Sequence, residues 1–241
     1  MLGKSILQRN KQFSNLLANS AFKHKIQANA FSSTGSNSSN IGKMVIEYNK
    51  DVKIDQLMEP FSKTDPRFRK TSTLFVTGPL GKLKMPLQNF VKLVNTATDS
   101  SDANQSGLIH VTVEDPSDKK QKQMWGTTRA LIKNMVTGVT EGYTSILRMV
   151  GIGYRANLET INGIKYLQLK LGYSHPVNIE IPSHIEVQVP FPTTMIVKGT
   201  DLQQVKLFAA KVREKKKPEP YNQKGIFVDS ETIRKKEVKK K

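Results

Sequence analysis

The segment from Glu214 to Ile226 reads EKKKPEPYNQKGI, and its residue types suit the binding of a polyanion. Three consecutive lysines precede a Pro-Glu-Pro sequence, and a tyrosine and a Lys-Gly pair follow it. Because each proline ring fixes φ and removes an N–H, the segment is predicted to be a semi-rigid, extended arm. Lysines bind phosphates and an aromatic ring stacks on bases, so the arm is predicted to contact nucleic acid. The candidate residues are Lys215, Lys216, Lys217, Tyr221, Lys224 and Gly225, with Arg234, Lys235 and Lys236 in the lysine-rich tail that follows.

A second glycine-rich stretch, Gly151 to Ala156 (GIGYRA), fits the G-x-G-x-x-A pattern of dinucleotide-binding turns. That chemistry requires a helix directly after the turn, with its N-terminus at the pyrophosphate. The residues that follow here, ANLETINGIKYLQL, alternate as a β-hairpin does. The glycines are therefore interpreted as a strand kink or bulge, and no cofactor is expected.

Few residues are suited to catalysis or metal binding. The chain has four histidines and no cysteine, and no two histidines have the spacing of ligands on one helix face, so no metal site is predicted. Nucleophile elbows and phosphate-binding loops are absent from the sequence, and the chain is predicted not to be an enzyme. Ser174 and His175 lie in the sequence GYSHP at the end of a predicted strand. His175 suits a structural role in this loop and an RNA contact equally well.

The overall charge indicates an anionic partner. The 241 residues carry a formal net charge of +18. Such an excess destabilises a compact fold by self-repulsion unless a partner neutralises it. RNA, DNA and an anionic membrane surface are the candidates. No stretch approaches the roughly 18 to 20 apolar residues that span a bilayer, so membrane insertion is not expected.

The first forty residues differ in composition from the rest. Residues 1–40 contain no Asp or Glu, and their Lys and Arg residues are interspersed with apolar ones at close to helical spacing. The segment ends in a Ser/Asn/Gly run, FSSTGSNSSN. An acid-poor, amphipathic, basic and hydroxyl-rich composition is typical of a mitochondrial transit peptide, which we predict for residues 1–40. A disordered basic arm that binds RNA is the alternative.

Residues 41–143 read as a first structural unit. Apolar alternation predicts strands, and the turn signal at Gly78-Pro79-Leu80-Gly81 predicts a hairpin between two of them. From Thr127 or Thr128 the apolar period changes from two to about 3.6, which predicts an amphipathic helix that ends at Gly142.

Residues 144–220 repeat this order of elements. Alternating runs predict strands, and Asn162-Gly163 between two of them is a strong hairpin signal because both positions tolerate positive φ. The sequence thus predicts an α+β fold of two duplicated small domains, each a mostly antiparallel β-sheet with one α-helix packed on a face. A basic N-terminal arm precedes the two domains, and a basic C-terminal tail over residues 221–241 follows them. The second helix is predicted after a capping residue, Asp201, with Leu202, Val205, Phe208, Ala209 and Val212 on one face.

The second half of the sequence resembles the family of the sixth large-subunit ribosomal protein. The resemblance rests on the runs WGTTRALIKNMVTGVTEGY, VGIGYRA, LGYSHPV, KGTD with its following helix, and PEPYNQKGI. Members of that family have two repeats of an antiparallel sheet that carries one helix, which agrees with the duplication. Residues 55–72 and 95–107 make the first unit longer than the family's, and they are interpreted as insertions.

This resemblance implies a structural role in the large ribosomal subunit, with no small-molecule substrate. The expected partners are large-subunit rRNA, near the sarcin-ricin loop and the base of the factor-binding stalk, and neighbouring large-subunit proteins. The transit-like arm together with the bacterial-type motifs indicates the mitochondrial ribosome, and a free mitochondrial RNA-binding or ribosome-assembly factor is the alternative. By resemblance, the residues that face rRNA are Lys216, Lys217, Tyr221, Lys224 and Gly225, with Arg155, Ser174 and His175 as further candidates.

Overall fold

A computed structural model of the protein describes residues 39–62, 65, 71–96 and 107–237, and this part of the chain contains thirteen strands and two helices. The prediction for residues 1–40 falls almost entirely outside the described residues, as do parts of the two predicted insertions. The elements are β1 (Ile46–Tyr48), β2 (Lys53–Leu57), β3 (Thr71–Gly78), β4 (Gly81–Gln88), β5 (Val91–Thr96), β6 (Gly107–Val113), α1 (Lys119–Thr140), β7 (Tyr143–Val150), β8 (Arg155–Ile161), β9 (Ile164–Lys170), β10 (Val177–Glu180), β11 (Ile185–Phe191), β12 (Thr194–Gly199), α2 (Leu202–Glu214) and β13 (Gly225–Val228).

The N-terminal half, β1 to β6 with α1, consists of two antiparallel sheets of three strands, in the orders β1-β6-β5 and β2-β3-β4. Helix α1 contacts both sheets, and its buried Ile132, Val136 and Val139 join their apolar residues in one core. Trp125 belongs to this core and donates its indole N–H to the Val111 carbonyl at 2.7 Å. A buried indole with its N–H satisfied fixes the helix to β6.

The C-terminal half, β7 to β13 with α2, has the same construction. Its sheets have the orders β10-β9-β8 and β11-β12-β7-β13, again antiparallel throughout. Asp201 caps α2 by accepting the Gln203 N–H at 2.9 Å, as predicted. Four of the five residues predicted on the apolar face are buried in the core of this half: Val205, Phe208, Ala209 and Val212.

Helix α1 starts earlier than the sequence predicted. Asp118 caps it by accepting the Lys120 N–H at 3.2 Å, so the helix begins at Lys119 rather than near Thr127. Its first turn is rich in lysine and has no apolar periodicity that would reveal it. The predicted end is correct, since Gly142 has a φ of +79° and donates its N–H to the Thr137 carbonyl at 3.2 Å.

Two predicted irregular stretches contain strands. Residues 53–57 form β2 and pair with β3, so the insertion predicted over 55–72 begins later than expected. Residues 225–228, at the start of the predicted basic tail, form β13 and pair with the edge of β7. Both strands are short and show only weak alternation of apolar and polar residues, so pairing with the neighbouring strand determines their conformation.

The two halves meet where α1 passes over the loop between β12 and α2. A methyl group added at Gly138 of α1 would lie 2.0 Å from the Thr200 carbonyl oxygen. Only a residue without a side chain permits this close backbone approach. A methyl group added at Gly126, on the same helix, would lie 3.7 Å from the Ser39 hydroxyl oxygen, an ordinary van der Waals distance. No helix among the described residues has the length and apolar character needed to cross a membrane.

Candidate nucleic-acid interface

Residues 215–225, which we call the basic turn, leave the end of α2 and fold back on themselves. The Glu219 N–H donates to the Lys224 carbonyl at 2.9 Å, and the Gln223 N–H donates to the Glu219 carbonyl at 3.0 Å. The extended arm predicted from the two prolines is therefore wrong. The prolines prevent α2 from continuing, but main-chain hydrogen bonds then close the segment into a fixed turn.

Gly225 closes the basic turn against the sheet. It is buried, has a φ of +152°, and a methyl group added to it would lie 2.5 Å from Cα of Pro218. The next N–H, that of Ile226, donates to the Lys216 carbonyl at 3.0 Å as β13 begins. Gly225 thus permits the close approach that orients the turn, between the partly exposed Lys224 and the buried Ile226.

The three lysines at the end of α2 differ in environment. Lys215 and Lys217 are exposed, whereas Lys216 is partly buried. The Lys216 ammonium lies 4.9 Å from the centre of the Tyr173 ring, within the range of a cation–π interaction. The Tyr173 hydroxyl donates to the Lys215 carbonyl at 3.0 Å. A cation at the C-terminus of a helix is also favoured by the helix dipole.

The GYSHP sequence lies beside these lysines. Tyr173, Ser174 and His175 are all exposed. The rings of Tyr173 and His175 are nearly parallel, with an angle of 19° between them and 6.3 Å between their centres. The structure thus brings together two sets of candidates that are separated in sequence, and Tyr173, which was not among the predicted site residues, connects them.

The GIGYRA sequence forms the turn between β7 and β8, and a strand follows it as predicted, not a helix. Tyr154 packs its ring over this turn. A methyl group on Gly151 would lie 2.6 Å from the Tyr154 ring, and one on Gly172 would lie 3.4 Å from it. Tyr154 therefore links this turn to the start of the GYSHP loop, and Arg155 follows it, exposed, at the start of β8.

The chain after β13 returns to the basic turn. The Lys236 N–H donates to the Pro220 carbonyl at 3.0 Å, and the Gln223 side-chain amide donates to the Ile233 carbonyl at 3.1 Å. Tyr221 lies between these two contact points in sequence and is half exposed. Three exposed cations are thereby held next to the turn: Arg234, Lys235 and Lys236.

Two ion pairs with α2 anchor the chain between β13 and this contact. Lys206 Nζ lies 2.7 Å from the Asp229 carboxylate, which also accepts the Ile146 N–H at 2.9 Å. Arg213 donates through two N–H groups to the Glu231 carboxylate. Both acids belong to the predicted basic tail, and nothing in the local sequence reveals their partners.

The pKa values of both anchoring carboxyl groups are lowered by these contacts. For Glu231 the hydrogen bond from Arg213 is the main cause of the lower pKa. Burial alone would raise the pKa of Asp229, but the hydrogen bonds from Lys206, Ile146 and Ser145 together outweigh it. Each carboxylate therefore stabilises the fold in its charged form.

The charges and rings of this arrangement are suited to binding a polyanion. The described residues include no cluster of three or more His, Asp or Glu side chains that could hold a metal ion. The candidate residues instead form a surface of cations, most of them exposed, with exposed aromatic rings among them. Phosphates are bound by such cations and unpaired bases by such rings.

Comparison with known proteins relates both halves of the chain to one family. The profile of the family described as "Ribosomal protein L6" matches residues 69–142 and 150–228, that is, both halves. "Large ribosomal subunit protein uL6m" of Neurospora crassa is 38% identical over 218 residues, which cover 87% of this chain and 82% of the relative. The protein of the same name from Reclinomonas americana is 39% identical over 208 residues, 84% of this chain and 100% of the relative. "Large ribosomal subunit protein uL6" of Bacillus cereus is 50% identical over 130 residues, 54% of this chain and 70% of the relative.

The two separate matches confirm the duplication predicted from the order of elements, and the family confirms the prediction of a structural protein that is not an enzyme. The matched residues make up more than half of the sequence. The chain belongs to the ribosomal protein L6 family.

Proposed function

We propose that the protein is a structural constituent of the large subunit of the mitochondrial ribosome, where it binds and stabilises large-subunit rRNA. Relatives that carry the mitochondrial form of the name, from Neurospora crassa and Reclinomonas americana, support this compartment. The net charge of +18 supports a polyanionic partner, because RNA phosphates relieve the self-repulsion of the chain.

The basic turn and the elements around it are the proposed contact surface. This assignment rests on one observation: exposed cations from two segments, the end of α2 and the chain after β13, are held by main-chain hydrogen bonds around one turn. Lysine side chains neutralise phosphates, and the ring of Tyr221 stacks on a base. The proposed contacts are Lys215, Lys216, Lys217, Tyr221, Lys224, Arg234, Lys235 and Lys236, with Arg155, Ser174 and His175 beside them; Gly225 shapes the turn.

The proposed position on the rRNA is near the sarcin-ricin loop and the base of the factor-binding stalk, next to other large-subunit proteins. The resemblance in the PEPYNQKGI segment supports this position. Residues 1–40 are proposed to be a transit peptide that directs the chain to the mitochondrial matrix. The N-terminal sequence of the protein isolated from the organelle tests this, since removal predicts a start near Asn40 and retention predicts Met1.

Sedimentation of a mitochondrial extract tests the proposed function. The protein should move with intact large subunits, remain with them at moderate salt, and leave them together with other rRNA-bound proteins at high salt. A chain that stays at the top of the gradient while large subunits sediment would show a free RNA-binding or assembly factor. Large subunits prepared without the protein should rebind it in a one-to-one ratio.

A further inference from the structure

Tyr173 and His175 form an exposed aromatic surface next to the basic turn. The Tyr173 side chain is 46% exposed although Lys216 lies over its ring, and His175 is exposed beside it. Tyr173 contacts the lysine run directly, through the Lys216 ammonium and the Lys215 carbonyl, and His175 lies against the Tyr173 ring. Lysines alone are sufficient for sequence-nonspecific binding to phosphates, so two nearly parallel rings beside them indicate an additional contact with bases.

The Tyr173 hydroxyl fixes the geometry of this surface. It donates to the main-chain carbonyl of Lys215, so the ring cannot rotate away without loss of that hydrogen bond. The Lys216 ammonium is held 4.9 Å from the ring centre. A positive charge and a ring face are thus presented at a set distance from each other, in a conformation that requires no ordering when the RNA binds.

We propose that Tyr173 and His175 form a stacking platform that binds one unpaired nucleotide of the large-subunit rRNA, with Lys216 beside it to neutralise the phosphate of that nucleotide. In a regular duplex the faces of the bases are covered by their neighbours, so an exposed ring can stack only on a base that has left the helix. The platform therefore selects a loop or bulge, whereas the exposed lysines accept any phosphate. This inference rests on the proposed binding of rRNA and adds the kind of RNA structure that is recognised.

Substitutions at the platform separate stacking from charge. Tyr173→Leu removes a ring without a change in charge, His175→Leu removes the second ring, and Tyr173→Phe keeps the ring but removes the hydrogen bond to Lys215. Stacking of one base predicts an affinity loss of about 5- to 150-fold for Tyr173→Leu, with the salt dependence unchanged. Tyr173→Phe should lose less than about tenfold, since only one neutral hydrogen bond is removed.

Matched controls lie in the N-terminal half. Phe75 carries the Lys82 ammonium 4.5 Å from its ring centre, so Phe75→Leu deletes a ring beneath a lysine away from the basic turn. The Tyr48 hydroxyl donates to Asn95 at 2.9 Å, so Tyr48→Phe matches the loss of a hydroxyl. Both should bind rRNA as the unaltered protein does. Thermal unfolding of each variant verifies that the fold is retained.

The assay combines affinity for large-subunit rRNA, measured over a range of salt, with ultraviolet crosslinking of the same complex. The expected crosslink joins Tyr173 or His175 to a nucleotide that is unpaired in the rRNA. The platform is refuted if the unaltered protein binds with a steep salt dependence while Tyr173→Leu and His175→Leu bind equally well. It is also refuted if Tyr173→Phe loses as much affinity as Tyr173→Leu, because the residue would then act only by positioning Lys215. If the unaltered protein shows no salt-dependent binding to this rRNA, the proposed function itself fails.

Discussion

The sharpest test of the binding surface replaces Lys215, Lys216 and Lys217 together by glutamine. The side chains lie at the end of α2, where Lys215 and Lys217 are exposed and Lys216 is partly buried, and all three are proposed phosphate contacts. Neutralisation of one phosphate contributes about 0.7 to 0.9 to the slope of log affinity against log salt, so loss of three contacts lowers the slope by about 2.1 to 2.7. Between 50 and 200 mM salt, the unaltered protein should therefore lose about 20- to 40-fold more affinity than the variant.

The fold should tolerate this change. The hydrogen bonds of this segment use the main-chain carbonyls of Lys215 and Lys216, and glutamine leaves them in place. The cost is the loss of favourable charge at a helix C-terminus, worth about 0.3 to 1 kcal/mol for an exposed group, and of the cation–π contact between Lys216 and Tyr173, worth about 0.5 to 1 kcal/mol. Circular dichroism during heating measures whether the variant unfolds near the temperature of the unaltered protein.

The chain contains a matched control at the other helix. Lys119, Lys120 and Lys122 are three exposed lysines in the first turn of α1, so their replacement removes the same charge. Filter binding or fluorescence anisotropy with large-subunit rRNA gives the slope for each protein. Equal slopes for the two triple variants, or a slope for the first within about 0.5 of the unaltered value, would show that general charge and not the basic turn holds the RNA.

Three further predictions concern stability. Gly225→Ala places a methyl group against main-chain atoms and should lower the free energy of unfolding in urea by about 1–3 kcal/mol. Gly163 has a φ of +81° and open space around it, so Gly163→Ala should cost only the strain of positive φ, about 1–2 kcal/mol. A smaller destabilisation by Gly225→Ala than by Gly163→Ala would contradict the packing described at Gly225. Gly138→Ala should lower the unfolding temperature, and Gly126→Ala on the same helix should raise it. Alanine has a helix propensity about 1 kcal/mol more favourable than glycine at both positions, but at Gly138 the added methyl group clashes with the Thr200 carbonyl and this outweighs the gain. The folded pKa of Glu231 lies below its ordinary value of 4.5, so the stabilising contribution of this group is complete above that value and is lost as the pH falls through the folded pKa. The protection of the C-terminal amides from hydrogen exchange, relative to their intrinsic exchange rate at each pH, should fall there, and a Glu231→Gln variant should not show this step.

The sequence predicted the parts of this fold that depend on local signals. Asp201 and the apolar periodicity after it define α2 within a few residues, and both signals are read without knowledge of the tertiary structure. The Asn162-Gly163 hairpin is correct for the same reason, with φ values of +52° and +81° in the turn. The lysine-rich first turn of α1 has no apolar periodicity, and the capping residue Asp118 is the only local signal of its start, so the helix was predicted to begin too late.

The parts that the sequence did not predict depend on contacts between distant residues. Strand β13 exists because Ile226 and its neighbours pair with β7, at the other end of the C-terminal half. Tyr173 belongs to the candidate site because its hydroxyl meets the carbonyl of Lys215. Neither contact produces a periodic pattern of apolar residues in the sequence. The two prolines were therefore the only local signal in this segment, and they predicted an extended arm where the structure has a closed turn.

Closure of this turn explains how a chain with so much positive charge can present lysines in a fixed orientation. Adjacent lysines repel each other, and a flexible arm that carries them has high conformational entropy. RNA binding would have to order such an arm, and the entropy lost in doing so would lower the affinity. Here β13, together with the ion pairs of Asp229 and Glu231 to α2, fixes both ends of the segment before the RNA binds. The two carboxylates also neutralise cations that would otherwise add to the repulsion. On the proposed binding surface, the acids of the basic tail are therefore expected to increase the affinity for rRNA although their own charge opposes it, and replacement of either should weaken rRNA binding rather than strengthen it.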